Sequence, residues 1–442
     1  MVCTTRAARR ARHVLLLGLL ALAPSMGPGI VPPARAADAP IAPAKPFPPS
    51  VYQARRAKLM KALGGGIAML QARGEEDADG YRQDGDFLYL TGLNEPDAVL
   101  VLCPEERVYK ERLFLKPRNP DAERWTGVRP DISDSLRRAT GIESISRTTY
   151  LGGALMALLR TTKTLQLISA PGDPDAAASP EMTMYGKLSS RLPGVSIKDR
   201  TDLLPAMRSV KEPRELDYME RAIAATFAAQ HVAARAIRPG VEENWVAGLI
   251  DLEFKRAGAV RPGFPSIVGS GANSTILHYP EHDRTIAAGS LVVVDIGSDY
   301  GRYSADVTRT YPADGHFTPE QRKIYEVVLR AQQTCIDMVR PGVFMEDLQR
   351  KAEEIIRAAG YRDYFIHGLG HFVGLDVHDS GLYKKPLAAG MVITVEPGIY
   401  IPDKSLGVRI EDQVLVTSNG SRLLTADLPR DPDGVERMMR AP

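Results

Sequence analysis

Residues 290–311 read SLVVVDIGSDYGRYSADVTRTY, and residues 391–416 read MVITVEPGIYIPDKSLGVRIEDQVLV. In each, an apolar strand-like run ends on an acid: LVVVDIG carries Asp295 and MVITVEPG carries Glu396. A turn then leads to a second strand with a second acid, Asp306 in SADVTRTY and Glu411 in VRIEDQVLV. The segments ahead of the two hairpins also match. Pro213 suits the first turn of a helix, Leu216, Met219, Ile223 and Phe227 share one face of it, and Arg238-Pro239-Gly240 ends it. Another helix over about 242–257 closes at Gly258. The pattern restarts at Thr318-Pro319-Glu320-Gln321, a capping box with proline at the first helical position. That helix ends at Arg340-Pro341-Gly342, and one over about 345–358 closes at Gly360. Gly240 lies 55 residues before Asp295, and Gly342 lies 54 before Glu396. A helix–helix–hairpin unit therefore occurs twice, with one acid pair per hairpin. Two copies make an internal duplication rather than a solenoid, and predict a pseudo-twofold domain with the hairpins meeting at its centre.

Acids on paired strands normally face water, because burying them without partners is costly or shifts their pKa. Asp295 and Glu396 follow VVV and VITV, runs that read as buried from both faces. Each acid alone would be a salt-bridge partner or an exposed group; four that converge need cations. Residues 367–379, HGLGHFVGLDVHD, place three of the chain's eight histidines in twelve positions, separated by glycines that let the backbone approach a bound group. A fourth, His278, lies in IVGSGANSTILHYP. One imidazole with four carboxylates suits two adjacent Mn, Zn, Co or Fe ions rather than a structural zinc, which prefers Cys and His. Two ions bridged by carboxylates can hold a water as hydroxide near neutral pH and stabilise a tetrahedral oxyanion. The remaining features read as structural: Met and aromatic residues on helices as core, Trp125 and Trp245 as packing or pocket-lining, His231, His282 and His316 as surface.

The 442 residues allow two or three domains. From Val51 a helical stretch leads into GGGIAMLQA, and strands then alternate with helices to about residue 200, an α/β pattern. Within it LYLTGLNEPDAVLVL reads as strand, turn, strand. Residues 37–49, ADAPIAPAKPFPP, read as an extended tether. Residues 1–36 differ in kind: Arg6, Arg9, Arg10 and Arg12 precede an apolar run from Val14 to Ala23, Ala34-Arg35-Ala36 follows, and no acid occurs before Asp38. This is a signal peptide with cleavage expected after Ala36. Ten apolar residues cannot cross about 30 Å of hydrocarbon as a helix. The compact apolar core and Ala-x-Ala favour export over an organellar transit peptide, and Arg9-Arg10 matches twin-arginine export only in part. The chain is therefore expected in the periplasm or outside the cell, with no stable membrane insertion after cleavage. Without the leader, 51 basic residues face 54 acidic ones, a balance that favours neither nucleic acid nor anionic membrane as partner. Cys103 and Cys335, in a strand and a helix of different halves, read as two buried free thiols rather than a bridge.

At these residues the sequence resembles the pita-bread metallopeptidases, and among them aminopeptidase P, the Xaa-Pro aminopeptidases. The matching segments are VVVDIGSDYGRYSADVTRTY, HGLGHFVGLDVHD, TVEPGIYI and GVRIEDQV. Outside the site YRQDGDFLYLTGLNEPDAVLVL, IVGSGANSTILHY, FTPEQRKIYEVVL and LTADLPRDPDGVERMM match as well, so the resemblance covers everything after the tether. It implies an N-terminal α/β domain over 50–205 and an α+β pita-bread catalytic domain over 206–442. It implies that Asp295, Asp306, His371, Glu396 and Glu411 hold two divalent ions, Mn(2+) first, with Zn, Co or Fe as alternatives. Asp306 and Glu411 would bridge both ions, Asp295 would bind one, and His371 and Glu396 would complete the set. Glu396 would also shuttle protons. His278 and His378 would hold substrate and stabilise the tetrahedral intermediate, and His367 would border the proline pocket. Tyr400 and Arg409 would support the site, Arg409 by pairing with a ligand carboxylate.

The implied reaction is hydrolysis of the first bond of peptides with proline second, whose tertiary amide and fixed φ defeat general peptidases. Homo-oligomers are implied too. A prolidase, which cleaves only Xaa-Pro dipeptides, would use the same ligands, but the N-terminal motif and the LTADLP tail favour aminopeptidase P. Methionine aminopeptidases lack so large an N-terminal domain. A metal-free binding protein on the same fold, or a creatinase-like hydrolase, is disfavoured by five intact ligands. The chain departs from the family in its leader, in the short YRDYFI before His367, and in a compact loop carrying Lys384-Lys385 where no family arginine can be placed.

Overall fold

The computed structural model describes residues 44–75, 81–170, 172, 175–259 and 261–440; the leader and residues 37–43 of the expected tether lie outside them. In the N-terminal half, β1 (Ile67–Gln71), β2 (Val99–Leu102), β3 (Glu111–Leu115), β4 (Ser144–Arg147), β5 (Thr164–Leu167) and β6 (Ser196–Asp199) form one sheet in the order β4-β3-β2-β1-β5-β6. The β1–β2 and β2–β3 pairs are antiparallel and the other three are parallel. Around the sheet lie α1 (Pro49–Leu63), α2 (Gly85–Thr91), α3 (Pro120–Thr126), α4 (Asp134–Thr140), α5 (Leu151–Leu158), α6 (Pro180–Ser189) and α7 (Leu203–Ser209). Strand alternation decides which core each residue enters. Ile67, Met69, Val99 and Val101 face α5 and α6, whereas Ala68, Leu70, Leu100 and Leu102 face the opposite way. That second core also takes Met219, Val373, Leu375 and Val392 from the catalytic half, so the two halves share it.

Several expectations are corrected here. The first part of LYLTGLNEPDAVLVL is helix α2, not a strand. Asp84 Oδ1 accepts from the Phe87 amide at 2.9 Å and Gly92, at φ 69°, ends the helix in the left-handed region. Residues 44–48 are not a loose tether: Phe47 is buried against Tyr52, Tyr218 and Tyr303. Trp125 and Trp245 stand largely in solvent, 89% and 62% exposed, and line neither of the two cavities described below. His231 and His282 are half-buried rather than on the surface, His282 through Nε2 at 2.8 Å from the Ser266 carbonyl. His316 is exposed as expected, and Cys103 and Cys335 are both buried and free.

The catalytic half contains the duplication. The first copy is α8 (Pro213–Ala236), α9 (Glu243–Arg256), β7 (Arg261–Pro262), β8 (Ile267–Ser270), β9 (Leu291–Ile296), β10 (Ser298–Tyr300), β11 (Tyr303–Ser304) and β12 (Val307–Pro312). The second is α10 (Pro319–Met338), α11 (Met345–Ala358), β13 (Val392–Val395), β14 (Gly398–Ile401), β15 (Leu406–Arg409) and β16 (Asp412–Val416), followed by β17 (Ser421–Leu423) and α12 (Pro432–Arg440). The Thr318 capping box that opens α10 is formed on both sides.

Each expected hairpin is in fact broken in two. β9 pairs with β12 in one sheet while β10 pairs with β11 in another, and β13–β16 and β14–β15 divide in the same way. The acids sit at the breaks: Asp295 next to last in β9, Asp306 just before β12, Glu396 just after β13 and Glu411 just before β16. The first break needs Gly297, since any Cβ there would collide with the Ala305 carbonyl. The second has Pro397, which has no amide to give a ladder.

At each break a helix glutamine binds strand carbonyls beside the acids. Gln230 of α8 donates Nε2 to the carbonyls of Val307 (2.9 Å) and Val294 (3.3 Å). Gln332 of α10 donates to those of Ile410 (3.0 Å) and Val395 (3.2 Å). The copies then join through the Glu411 amide on the Thr308 carbonyl (3.1 Å) and through Arg309. Wholly buried, Arg309 binds Asp412 Oδ1 (2.8 Å) and the carbonyls of Glu411 (2.7 Å), Leu428 (3.1 Å) and Pro429 (2.8 Å).

Candidate metal centre and active site

A cavity of about 270 Å³ lies where the two breaks face each other. Asp295, Asp306, Glu396 and Glu411 line it with His278, His371 and His378, so seven of the ten expected site residues share one wall. Its other lining residues are apolar or aromatic: Phe264, Pro265, Ile267, Tyr279, Pro280 and Val377. Ligand atoms of Asp306, His371 and Glu411 lie within 4.8 Å of one another. His371 Nδ1 donates to the Phe372 carbonyl at 3.0 Å, which turns Nε2 toward Glu396 Oε1 (3.3 Å) and Asp306 Oδ2 (3.4 Å). Gly370 lets this segment lie on β13, because a Cβ there would strike the Thr394 carbonyl. The Thr394 hydroxyl accepts from the His371 amide (3.0 Å) and donates to Glu396 Oε1 (3.2 Å). The rings of His371 and His378 stand 4.2 Å apart, edge to face.

The other three expected residues, His367, Tyr400 and Arg409, are not among the cavity-lining residues but form one chain of hydrogen bonds behind it. Arg409 Nη2 binds Asp295 Oδ2 at 2.8 Å, Nη1 donates to the Tyr400 hydroxyl at 2.9 Å, and Nε donates to Thr308 Oγ1 at 3.2 Å. The Thr308 hydroxyl passes on to Glu411 Oε2 at 2.7 Å. Tyr400 meets His367 Nε2 at 2.9 Å, and His367 Nδ1 lies 2.8 Å from the Gly368 carbonyl. One guanidinium thus braces Asp295 directly and Glu411 through Thr308, and its bond to the Leu277 carbonyl (3.3 Å) fixes the backbone beside His278. Thr308, Thr394, Gln230 and Gln332 escaped the sequence reading. Thr308 was findable, since strand alternation places it two residues beyond Asp306 on the same face.

Proton affinities follow from crowding. Burial, then the charge of Asp295, raises Asp306 to about 6. Burial raises Glu396 to about 8, although His371 pulls it back, and burial with Asp306 beside it drives Glu411 well above the carboxylate range. His371 is pulled down by burial, but its hydrogen bond to Asp306 and the charge there outweigh this and raise it to about 9. Burial lowers His367 to about 4, so it stays a neutral acceptor for Tyr400. Asp295 Oδ1, Asp306 Oδ1 and Glu411 Oε1 are buried with no hydrogen-bond partner. Divalent cations fit this donor set: orphaned carboxylate oxygens want positive charge, and the protons held there are those that a metal ion displaces.

Buried acids and an imidazole around a narrow cavity, at the centre of a duplicated pita-bread domain, define a metal-dependent hydrolase. Residues 217–418 match the metallopeptidase family M24, and residues 52–167 match the N-terminal domain of aminopeptidase P. The Xaa-Pro aminopeptidase of Haemophilus influenzae is 34% identical over 432 residues, covering 89% of this chain and 98% of that protein. The Xaa-Pro dipeptidase of Pyrococcus furiosus is 42% identical, but over 228 residues, 51% of this chain and 65% of that protein. Aminopeptidase P from Escherichia coli, solved with the inhibitor Pro-Leu, superposes with a TM-score of 0.80 at 33% identity, covering 90% of this chain and 99% of that one. The chain belongs to the aminopeptidase P (Xaa-Pro aminopeptidase) family of pita-bread metallopeptidases, and is a hydrolase of the metallo-aminopeptidase class that depends on divalent metal ions.

Proposed function

We propose that this chain removes the first residue from peptides whose second residue is proline, with two divalent ions, Mn(2+) foremost, held by Asp295, Asp306, His371, Glu396 and Glu411. The observation that carries this is the cavity in which those five groups meet an apolar wall, three of their oxygens lacking any partner. When bound, the ions supply the positive charge that acidifies an attacking water and neutralises the developing oxyanion. The chain's own residues do the rest. Glu396, a carboxylate in the cavity wall beside His371, would take a proton at Oε1 or Oε2 and pass it to the proline nitrogen as the bond breaks. His278 and His378 stand in the same wall to hydrogen-bond the substrate around its scissile carbonyl. Phe264, Pro265, Ile267 and Val377 offer a dry surface for the pyrrolidine ring. His367, Tyr400 and Arg409 keep Asp295 and the backbone beside His278 in place.

The reading is tested by assaying Xaa-Pro, Xaa-Pro-Yaa-Zaa and Xaa-Ala-Yaa-Zaa with and without added Mn. Cleavage of the proline-containing tetrapeptide, dependent on metal, is expected. Activity confined to the dipeptide would make the chain a prolidase, the reading favoured by the dipeptidase match to the catalytic half. Export, with cleavage after Ala36 and release to the periplasm or medium, is part of the same proposal and is supported by the Arg-rich, acid-free leader. N-terminal sequencing of protein from its native cell decides it, and an intact Met1 terminus would sink it. Self-association is supported by the exposed Val108, Trp125 and Val128 of the N-terminal half and is measured by sedimentation velocity.

A further inference from the structure

A second and larger cavity, about 670 Å³, lies between the N-terminal and catalytic halves, walled by Phe47, Tyr52, Tyr218 and Tyr303. Arg261 and Arg302 line it, and Asp299 is the only acid among its described lining residues. That one carboxylate is already crowded. Its Oδ2 lies 3.3 Å from Arg82 Nη1 and 3.8 Å from Arg261 Nε, and its Oδ1 accepts from the Arg302 backbone amide at 2.7 Å. The next acid, Asp376, is held by Arg208 at 2.7 Å and stands 3.8 Å from Arg82. Among the described residues the Arg302 guanidinium has no ion-pair partner: Nη2 donates to the Gln83 carbonyl at 2.9 Å, and the buried Nε has none. Burial, with the charge of Arg82 beside it, pulls the Arg302 pKa down to about 10, as expected of a cation short of counter-charge.

Arg302 also sits at φ 79°, directly after Gly301 at φ 59°, in the tight turn joining β10 to β11. Such turns call for Gly or Asn. A long cation in that place carries backbone strain, and strain of this kind gathers at binding sites.

The same two stretches of chain supply lining residues to this cavity and to the metal site. Arg261 lines it while Phe264, three residues on, lines the other; Leu375 lines it while Val377 lines the other. Extended chain advances about 3.3 Å per residue, so the backbone positions that line the two cavities come within about 10 Å of each other. An extended substrate covers that span with about three residues.

We propose that this cavity receives the C-terminal end of a short peptide substrate, whose free carboxylate is bound by Arg302 and Arg261. This rests on the Xaa-Pro aminopeptidase reading above and adds to it a substrate class: peptides of about four to six residues with an unblocked C-terminus. Charge-assisted bonds from two guanidiniums fit a carboxylate, and the aromatic walls accept side chains on the way.

The test compares Xaa-Pro-Yaa-Yaa-Yaa as free acid and as C-terminal amide, using Mn-loaded full-length protein. The amide should raise KM about tenfold to a hundredfold, what a charged hydrogen bond is worth, with kcat little changed. Arg302→Gln and Arg261→Gln should each bring the amide-to-acid KM ratio toward 1, and Arg302→Lys should keep most of it. Two positions are used because Arg302 lies in a strained turn, and melting temperatures identify any variant that fails to fold. A wild-type ratio within twofold of 1, or a ratio unmoved in both Gln variants, overturns the inference while leaving the aminopeptidase reading intact. Failure to cleave any Xaa-Pro peptide would instead strike the underlying reading, so the two failures are distinct.

Discussion

Thr308→Val keeps the volume and the branched Cβ of a buried residue and removes one hydroxyl. That hydroxyl donates to Glu411 Oε2 over 2.7 Å and accepts from Arg409 Nε over 3.2 Å. Glu411 Oε1 already has no partner, so the substitution leaves the carboxylate without any hydrogen bond. A hydrogen bond to a charged group contributes about 1.5–3 kcal/mol. Glu411 must be ionised to hold metal, so the loss appears as weaker metal binding, about 10- to 100-fold. The Thr308 hydroxyl is also one of the influences that restrain the Glu411 proton affinity. Without it protons compete better, and the pH at which metal half-saturates the site moves upward. Calorimetric titration of metal-free protein with Mn at pH 7 and pH 8 measures both effects, with Thr308→Ser as the control that retains the hydroxyl. Binding by Thr308→Val within twofold of wild type, or equal weakening in Thr308→Ser, would refute the bracing role argued for Thr308.

Glu411→Gln should abolish metal pairing yet raise the melting temperature of the metal-free protein. Asp306 at about 6 and Glu396 at about 8 lie above the ordinary carboxylate range, and His371 at about 9 lies above ordinary histidine. All three lose stability as pH rises through those values. Metal-free wild type should therefore weaken from about pH 4 to pH 9 and the gap to Glu411→Gln should widen; a gap that closes with pH would contradict the assignment. His278→Ala should keep full metal content by elemental analysis while kcat falls at least about tenfold, and loss of metal would place that imidazole among the ligands instead. Arg309→Met strands Asp412 in the core and should cost about 3–5 kcal/mol in urea unfolding, part of it recovered by adding Asp412→Leu. A cost below about 1 kcal/mol would mean that the pair is not the clamp described.

The duplication and the acids were legible because they follow from strong, local signals: Pro and Gly punctuation at both ends of four helices, and acids ending runs of Val and Ile. Three things were not. GDFLYLT has an apolar run too short for periodicity to separate helix from strand, and Asp84 and Gly92 decide for helix through capping bonds that only the folded chain shows. Gln230 and Gln332 look like any polar residue on an amphipathic helix, yet both are wholly buried and hold strand carbonyls beside the acids. Their role depends on the hairpins being broken, and nothing in the alternation of LVVVDIG or MVITVEPG announces a break. Trp125 and Trp245 failed in the other direction, because the hydrophobicity of a side chain says nothing of what its helix happens to face.

Arg309 carries a consequence for how the protein is made. Four of its hydrogen bonds go to residues about a hundred positions or more further along: Glu411, Asp412, Leu428 and Pro429. Until that stretch arrives, a guanidinium at the seam between the two copies has only its neighbour Thr308 to bind, over 2.9 Å. The acid pairs on either side of the seam cannot settle at their final separation before then. Synthesis must thus be nearly finished before the pocket can bind cations, and chains that stop short of Leu428 should emerge with a recognisable N-terminal half and no capacity to charge with metal.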